Sequence, residues 1–284
     1  MGEMTAAAPR AERDSVRETP VPLAPPPFGE VLCAVDGSRG SDEAMRQAID
    51  LASHPARLAF VAISDLGTVG DGEEPDDGDA RDALRRAAAH ATRAGVRAST
   101  SLHRGKRLSD LLLSEGAKRE LLVLGCHAGP RVGRVVLGRT ATEVAYRARQ
   151  SLLISRRTAD EGNFPSCILL ASDGSAGSWA AAKAAAAVAR ARGSELHVAF
   201  VADGNPERHR DLFKQLTMLE RATGAAPVVA ESSGDPAQRI LAAARACQAS
   251  LIALGRRGAN PRGALGSVSE RVVRRAPASV LVVP

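Results

Sequence analysis

An apolar run ending in Asp-Gly-Ser occurs twice in this chain. Residues 31–41 read VLCAVDGSRGS and residues 168–178 read ILLASDGSAGS. Each run sets a carboxylate, Asp36 or Asp173, where it can receive hydrogen bonds from a ligand or cap the turn and helix that follow. A second cluster follows the run LIALG: Gly255-Arg-Arg-Gly258, then, after the seven residues Ala259–Leu265, Gly266-Ser267-Val268. Glycines just past a strand let the backbone approach a ligand closely. A Gly-Ser step opening a helix offers free N–H groups, a hydroxyl and the positive end of the helix dipole, a cradle for an anion. A merely tight structural turn is the plainer alternative, and this stretch alone leaves both open. The first copy has LLVLG ending at Gly125, then Ala128, nine further residues and Gly138-Arg139. No GxxxxGK[ST] or GxGxxG occurs, and no nucleophile–base pair or carboxylate dyad suited to hydrolysis stands out. Arg256, Arg257, Arg262, Arg271, Arg274 and Arg275 make the last segment basic, either as a solvated helix face or as an attraction for phosphate.

These residues need elements to hold them. In the first copy, strand signals at Glu30–Val35, Leu58–Ile63, Val96–Leu102, Glu120–Leu124 and Leu152–Ser155 alternate with helical ones at Asp42–Leu51, Arg81–Ala94, Leu108–Lys118 and Thr140–Ala148. The second copy repeats the order. Strands from Ile168 and at Leu196–Val201, Pro227–Glu231, Leu251–Leu254 and Ser279–Val283 alternate with helices at Trp179–Arg192, Arg208–Thr223, Pro236–Ala246 and Val268–Ala276. Continuous apolar strands separated by helices predict two tandem doubly wound α/β units with five-stranded parallel sheets. Ligand chemistry then belongs at the carboxyl ends of the first and fourth strands, where the winding reverses. Those ends carry Asp36 and Gly125, and Asp173 and Gly255. The expected domains are residues 29–157 and 166–284, joined by a linker over 157–165. An acidic, Gly-rich loop over 65–79 reads as mobile.

Composition narrows the class. At 284 residues with 44% apolar but only 2% aromatic residues, each unit must build its core from Ala, Val, Leu and Ile. No run approaches the ~20 apolar residues of a membrane span. Residues 1–28 lack an apolar signal region, are polar and then Pro-rich, and read as a disordered tail of a cytoplasmic protein. Cys33, Cys126, Cys167 and Cys247 form no CxxC pair and read as buried thiols in a reducing compartment; with six scattered histidines they show no metal-ligand spacing. A net charge of +6 invites nucleic acid, but so few aromatics supply no stacking platform, and no DNA-reading motif appears.

The stretches GSVSERVVRRAPASVLVVP (266–284) and GDPAQRIL (234–241), with both strands ending in DGS, resemble the universal stress protein family. The resemblance covers both copies, so the chain looks like a tandem member. In that family's ATP-binding members, the pattern G-x2-G-x9-G-[S/T] wraps ribose and phosphates, while the first-strand Asp and a Val ending the second strand hold adenine. Carried over, this implies Asp173, Val201, Gly255, Gly258, Gly266, Ser267 and the adjoining Val268 in the second copy. In the first copy it implies Asp36, Val61, Gly125 and Gly138. Two departures stand out. The second copy's loop is two residues short, up to ~7 Å of reach. The first copy has Ala128 for a glycine and Arg139 for the Ser/Thr, which reads as a weakened or lost site. The resemblance further implies a sensor or regulator that binds ATP (with or without Mg²⁺, AMP and ADP being alternatives) and is not an enzyme, with a protein partner left unidentified. A non-binding form acting through protein contacts is the competing reading. Family members pair through the last strand, so the two units are expected to pack as a pseudo-two-fold dimer within the chain, with homodimerisation left open.

Overall fold

The computed structural model describes residues 27–52, 57–64, 77–105, 107–128, 135–159, 162–258 and 265–284. The tail over 1–26, most of the acidic loop (65–76) and most of the two signature loops (129–134 and 259–264) lie outside the described residues. Phe28, assigned to the tail from sequence, is instead buried in the core at 5% exposure.

The first half runs β1 Glu30–Ala34, α1 Arg39–Leu51, β2 Arg57–Ser64, α2 Gly78–Arg93, β3 Ala98–Arg104, α3 Leu108–Gly116 and β4 Leu121–Gly125. A two-residue ladder, β5 His127–Ala128 with β6 Val135–Val136, precedes α4 Arg139–Arg147 and β7 Ser151–Ser155. The second half runs β8 Cys167–Ser172, α5 Ala176–Arg192, β9 Glu195–Ala202, α6 Pro206–Thr223, β10 Val228–Ser233, α7 Pro236–Ala246, β11 Leu251–Gly255, α8 Ser267–Arg275 and β12 Ser279–Val283.

Strands order as β3-β2-β1-β4-β7 in one half and β10-β9-β8-β11-β12 in the other, parallel throughout each. The winding reverses between β1 and β4, and between β8 and β11, as the alternating pattern requires. The last strands β7 and β12 pair antiparallel, Leu153 opposite Leu281, fusing the two expected sheets into one of ten strands. An apolar edge that would otherwise invite aggregation is thereby covered. Leu153 and Leu281 are both wholly buried, and each gains about 1.5–3 kcal/mol by leaving water. Both apolar layers, one on each face of the sheet, continue through both halves. Ala181, Ala182, Ala185, Ala186 and Ala189 of α5 are buried; small side chains let this helix lie close to the sheet.

The helix starts follow cap chemistry more than periodicity. Ser38 and Ser175 cap α1 and α5 by accepting from the Ser41 and Ser178 amides, so both helices begin three residues before their apolar pattern does. Asn205 caps α6 and Pro206 takes its first turn, two residues ahead of the expected start.

Candidate functional site

At the carboxyl end of β8 the chain makes a turn through Gly174 in the left-handed region (φ 73°). Asp173 Oδ1 accepts from the Ser175 amide at 3.0 Å, and in the first half Asp36 Oδ1 accepts from Ser38 N at 2.9 Å. Both aspartates therefore do the turn-capping work that their sequence context predicts. Behind Asp173 lies a buried polar relay that the first half lacks. The Gly174 amide donates to Ser172 Oγ, Ser172 Oγ donates to Gln215 Oε1 at 2.6 Å, and Gln215 Nε2 donates to Ser178 Oγ at 3.0 Å. Gln215 is fully buried. Its amide, satisfied at both ends, fixes the turn that presents Asp173. Val35 stands in the first half where Ser172 stands in the second.

Asp173 borders a cleft of about 330 Å³. The cleft brings together Asp173, Val201, Gly255, Gly258, Gly266, Ser267 and Val268, all the second-copy residues singled out from sequence. Ile240, Leu254 and Val201 supply apolar wall, while Arg257 and Arg208 supply positive charge. Arg208 is in turn paired with Asp203. The helix facing the cleft, α8, has Gly266 at its N-cap and no side-chain cap, in contrast to the Ser-capped α5. Ser267 and Val268, at the mouth of this helix, line the cleft. First-turn amides with no side-chain cap from the N-cap residue, and the helix dipole, thus face the cleft. Pro236, Ile240 and Arg208 were not read as site residues from sequence; Pro236 lay in plain view within the GDPAQRIL stretch.

The glycines divide by role. A Cβ on Gly255 would fall 2.7 Å from the Gly177 backbone, and one on Gly125 would fall 2.4 Å from the Gly40 carbonyl oxygen. The first signature glycine is thus a packing requirement of α5 and α1. Gly258 is different: a Cβ there would come 2.4 Å from Asp173 Oδ2. It leaves room for the carboxylate.

In the first half, Asp36, Gly125 and Gly138 border a recess of only about 190 Å³. Arg139, with Ile63, Leu108 and Thr140, lines both this recess and a shallower one of about 370 Å³ beside it. The long cation borders both, at the position that Ser267 holds in the second half. Gly138 caps α4 as Gly266 caps α8, also without a side-chain cap. Val61 is a correction. Strand register places Val61 opposite Ala34 in β1, and Ala199 opposite Ala171 in β8. Val61 therefore matches Ala199, and Ile63 matches Val201. Val61 is wholly buried, while Ile63 lines the recess. The tetrapeptide AFVA, at 59–62 and again at 199–202, sets Val61 against Val201, an alignment two residues out.

The basic C-terminal segment resolves residue by residue. Arg271 clamps Asp235 with two hydrogen bonds, at 2.6 and 2.9 Å, and holds that carboxyl below the usual range. Asp235 also caps α7 by accepting from Gln238 N, so this pair locks α7 to α8. Arg274 pairs with Glu270. Arg256 is buried, donating to the Ala145 carbonyl of the first half at 2.7 Å. Arg156 mirrors it by donating to the Val273 carbonyl, one turn of the pseudo-two-fold away. Among the described arginines of that segment, Arg257 lines the cleft.

The model of the Universal stress protein family matches residues 27–156 and again 167–284. The chain belongs to the universal stress protein family. A universal stress protein from Archaeoglobus fulgidus DSM 4304 is similar in structure, with 23% identity, a TM-score of 0.74, and 89% of this chain and 97% of that one covered. A functionally unknown protein from Pseudomonas aeruginosa PAO1 aligns at 17% identity and a TM-score of 0.68, covering 90% of this chain and 92% of that one. Both alignments span the two halves, so the tandem universal stress protein fold is shared along the chain. Comparison with curated proteins returns no relative. No described helix is long and apolar enough to cross a membrane.

Proposed function

We propose that this universal stress protein binds one adenine nucleotide, ATP foremost, in the cleft of its second half, and serves in the cytoplasm as a sensor or regulator instead of turning over substrate. The observation that carries this reading is the uncapped N-terminus of α8. Its first-turn residues Ser267 and Val268 line the same cleft as Arg257 and Asp173. The residues fit the group. Amides, hydroxyl and guanidinium suit phosphates. Val201 and Ile240 offer apolar surface to a base, and the Asp173 carboxylate can accept from an exocyclic amine. The cleft volume falls at the lower end of the ~300–1,000 Å³ range of small-molecule sites, and the recess that Asp36 borders falls below it. We assign the first half no nucleotide, because Arg139 occupies the place of the Ser267 hydroxyl.

Turnover is not part of the proposal. Among the described residues, the carboxylates lining the cleft are Asp173, engaged with the Ser175 amide, and Asp203, paired with Arg208, and no His or Cys lines it. ATP titration of the wild-type chain and of Ser267→Ala tests the reading. Loss of one charge-assisted hydrogen bond costs about 1.5–3 kcal/mol, so affinity should fall at least ten-fold. Equal affinity in the two proteins would remove Ser267 from the site.

A further inference from the structure

At the amino-terminal ends of β8 and β9, three side chains with metal-ligand chemistry meet, and a fourth, from the end of α7, adjoins them. Cys167 opens β8 and Glu195 opens β9, paired in register. His197 follows two residues on, and so on the same face. Cys247 stands at the C-cap of α7. The Cys167 sulfur, a Glu195 carboxylate oxygen and a His197 ring nitrogen all lie within 4.8 Å of one another. His197 Nε2 and Glu195 Oε1 are 2.8 Å apart. The Cys247 thiol lies next to Cys167, outside this three-residue cluster, and donates to the Ala244 carbonyl at 3.9 Å. Cys167 is buried, His197 and Cys247 partly so, and Glu195 sits at the rim. We propose that Cys167, His197, Glu195 and Cys247 form a binding site for a zinc-class divalent cation.

Three observations support it. The clustered donors, one sulfur, one imidazole and one carboxylate, are the kind that select zinc over magnesium or calcium, and the adjoining Cys247 thiol would supply the fourth donor that its tetrahedral preference asks for. The donors come from two adjacent strands and a helix end, which hold them in place. The fold itself does not ask for them. Strand register and the α3 C-cap put Glu30, Arg57, Ala59 and Ala117 at the corresponding places of the first half, where Glu30 and Arg57 make an ordinary ion pair at 3.3 Å. The second half has exchanged an ion pair and two alanines for four potential ligands. Cation binding would release the proton of each coordinating thiol and would tie α7, which carries Ile240 of the cleft wall, to β8 and β9. The site lies six residues down β8 from Asp173, ~20 Å away at strand rise, and is independent of the nucleotide reading.

The test is zinc titration of the full reduced chain against a chromophoric metal indicator, with cobalt substituted to report ligand type. One zinc per chain is expected, with a thiolate-to-cobalt charge-transfer band and tetrahedral d–d bands. Cys247→Ser and His197→Ala should each weaken zinc at least about ten-fold, the scale already reached by losing an outer partner. Zinc should raise the melting temperature of the wild type and not of these variants; their metal-free melting temperatures check that they fold. Zinc binding unchanged in both variants, a cobalt spectrum without thiolate character, or no metal uptake by the reduced chain would each overturn the proposal.

Discussion

Gly255 lies against Gly177 so closely that a single methyl group on Gly255 would sit 2.7 Å from the Gly177 carbonyl. A signature glycine beside a ligand cleft is thus explained by helix packing. Its neighbour Gly258 faces the Asp173 carboxylate, a flexible group that can move aside. Opposite outcomes follow for one substitution at two glycines. Gly255→Ala should destabilise the fold by about 1–3 kcal/mol through overpacking, with or without nucleotide. Gly258→Ala should leave the melting temperature close to wild type while weakening nucleotide binding, because it displaces Asp173. Thermal melts and ATP titrations of both variants check this; a stable Gly255→Ala protein would contradict it.

The two halves should unfold together. Leu153 faces Leu281 at the β7–β12 seam, Arg192 of α5 bonds Asp50 of α1 at 3.3 Å, and buried Gln47 of α1 accepts from the Ser279 hydroxyl at 2.8 Å. With both apolar layers continuous across the seam, calorimetry should record a single transition. Two resolved transitions would show that each half holds its own stability.

Phe28 marks where the N-terminal segment starts to matter. Deleting residues 1–26, polar and Pro-rich, should leave the melting temperature unchanged. Phe28→Ala should cost about 3–5 kcal/mol as a large core truncation. A comparable loss from the 1–26 deletion would give that segment a docking role.

His209 packs edge-on against Phe200, ring centroids 4.8 Å apart, and its Nε2 lies 2.8 Å from Glu231 Oε1. The hydrogen bond to Glu231 raises the His209 pKa above its usual value. A raised folded-state pKa means that the pair's stabilisation is fully present below the unfolded value, about 6.5, and is lost as pH rises through the folded value. Histidine NMR titration should find His209 above 6.5 and Glu231→Gln should bring it down. An unmoved pKa in that variant would assign the shift to another cause.

Much of this was legible in the sequence because the chain says it twice. The repeated Asp-Gly-Ser and the strand–helix alternation placed the switch points, and with them Asp173, Gly258 and Ser267. What escaped did so for physical reasons. A two-residue slip in a strand keeps the same face, so AFVA could mislead about Val61, and only pairing with β1 reveals Ile63. Ser172 and Gln215 meet through tertiary packing of β8 on α6; the one visible sign was Ser172 replacing Val35. The start of α6 is written in Asn205-Pro206, a cap and first-turn signal that precedes the apolar spacing by two residues. Cys167, Glu195, His197 and Cys247 spread over 81 positions of sequence, so spacing rules could not join them.

Equilibrium dialysis with labelled ATP, counting nucleotides per chain in wild type, Asp173→Ala and Asp36→Ala, tests the central claim most directly. One nucleotide per wild-type chain is expected, abolished or strongly weakened in Asp173→Ala and retained in Asp36→Ala. Two equivalent nucleotides per chain, a site that depends on Asp36 instead of Asp173, or no adenine nucleotide bound at millimolar concentration would contradict it.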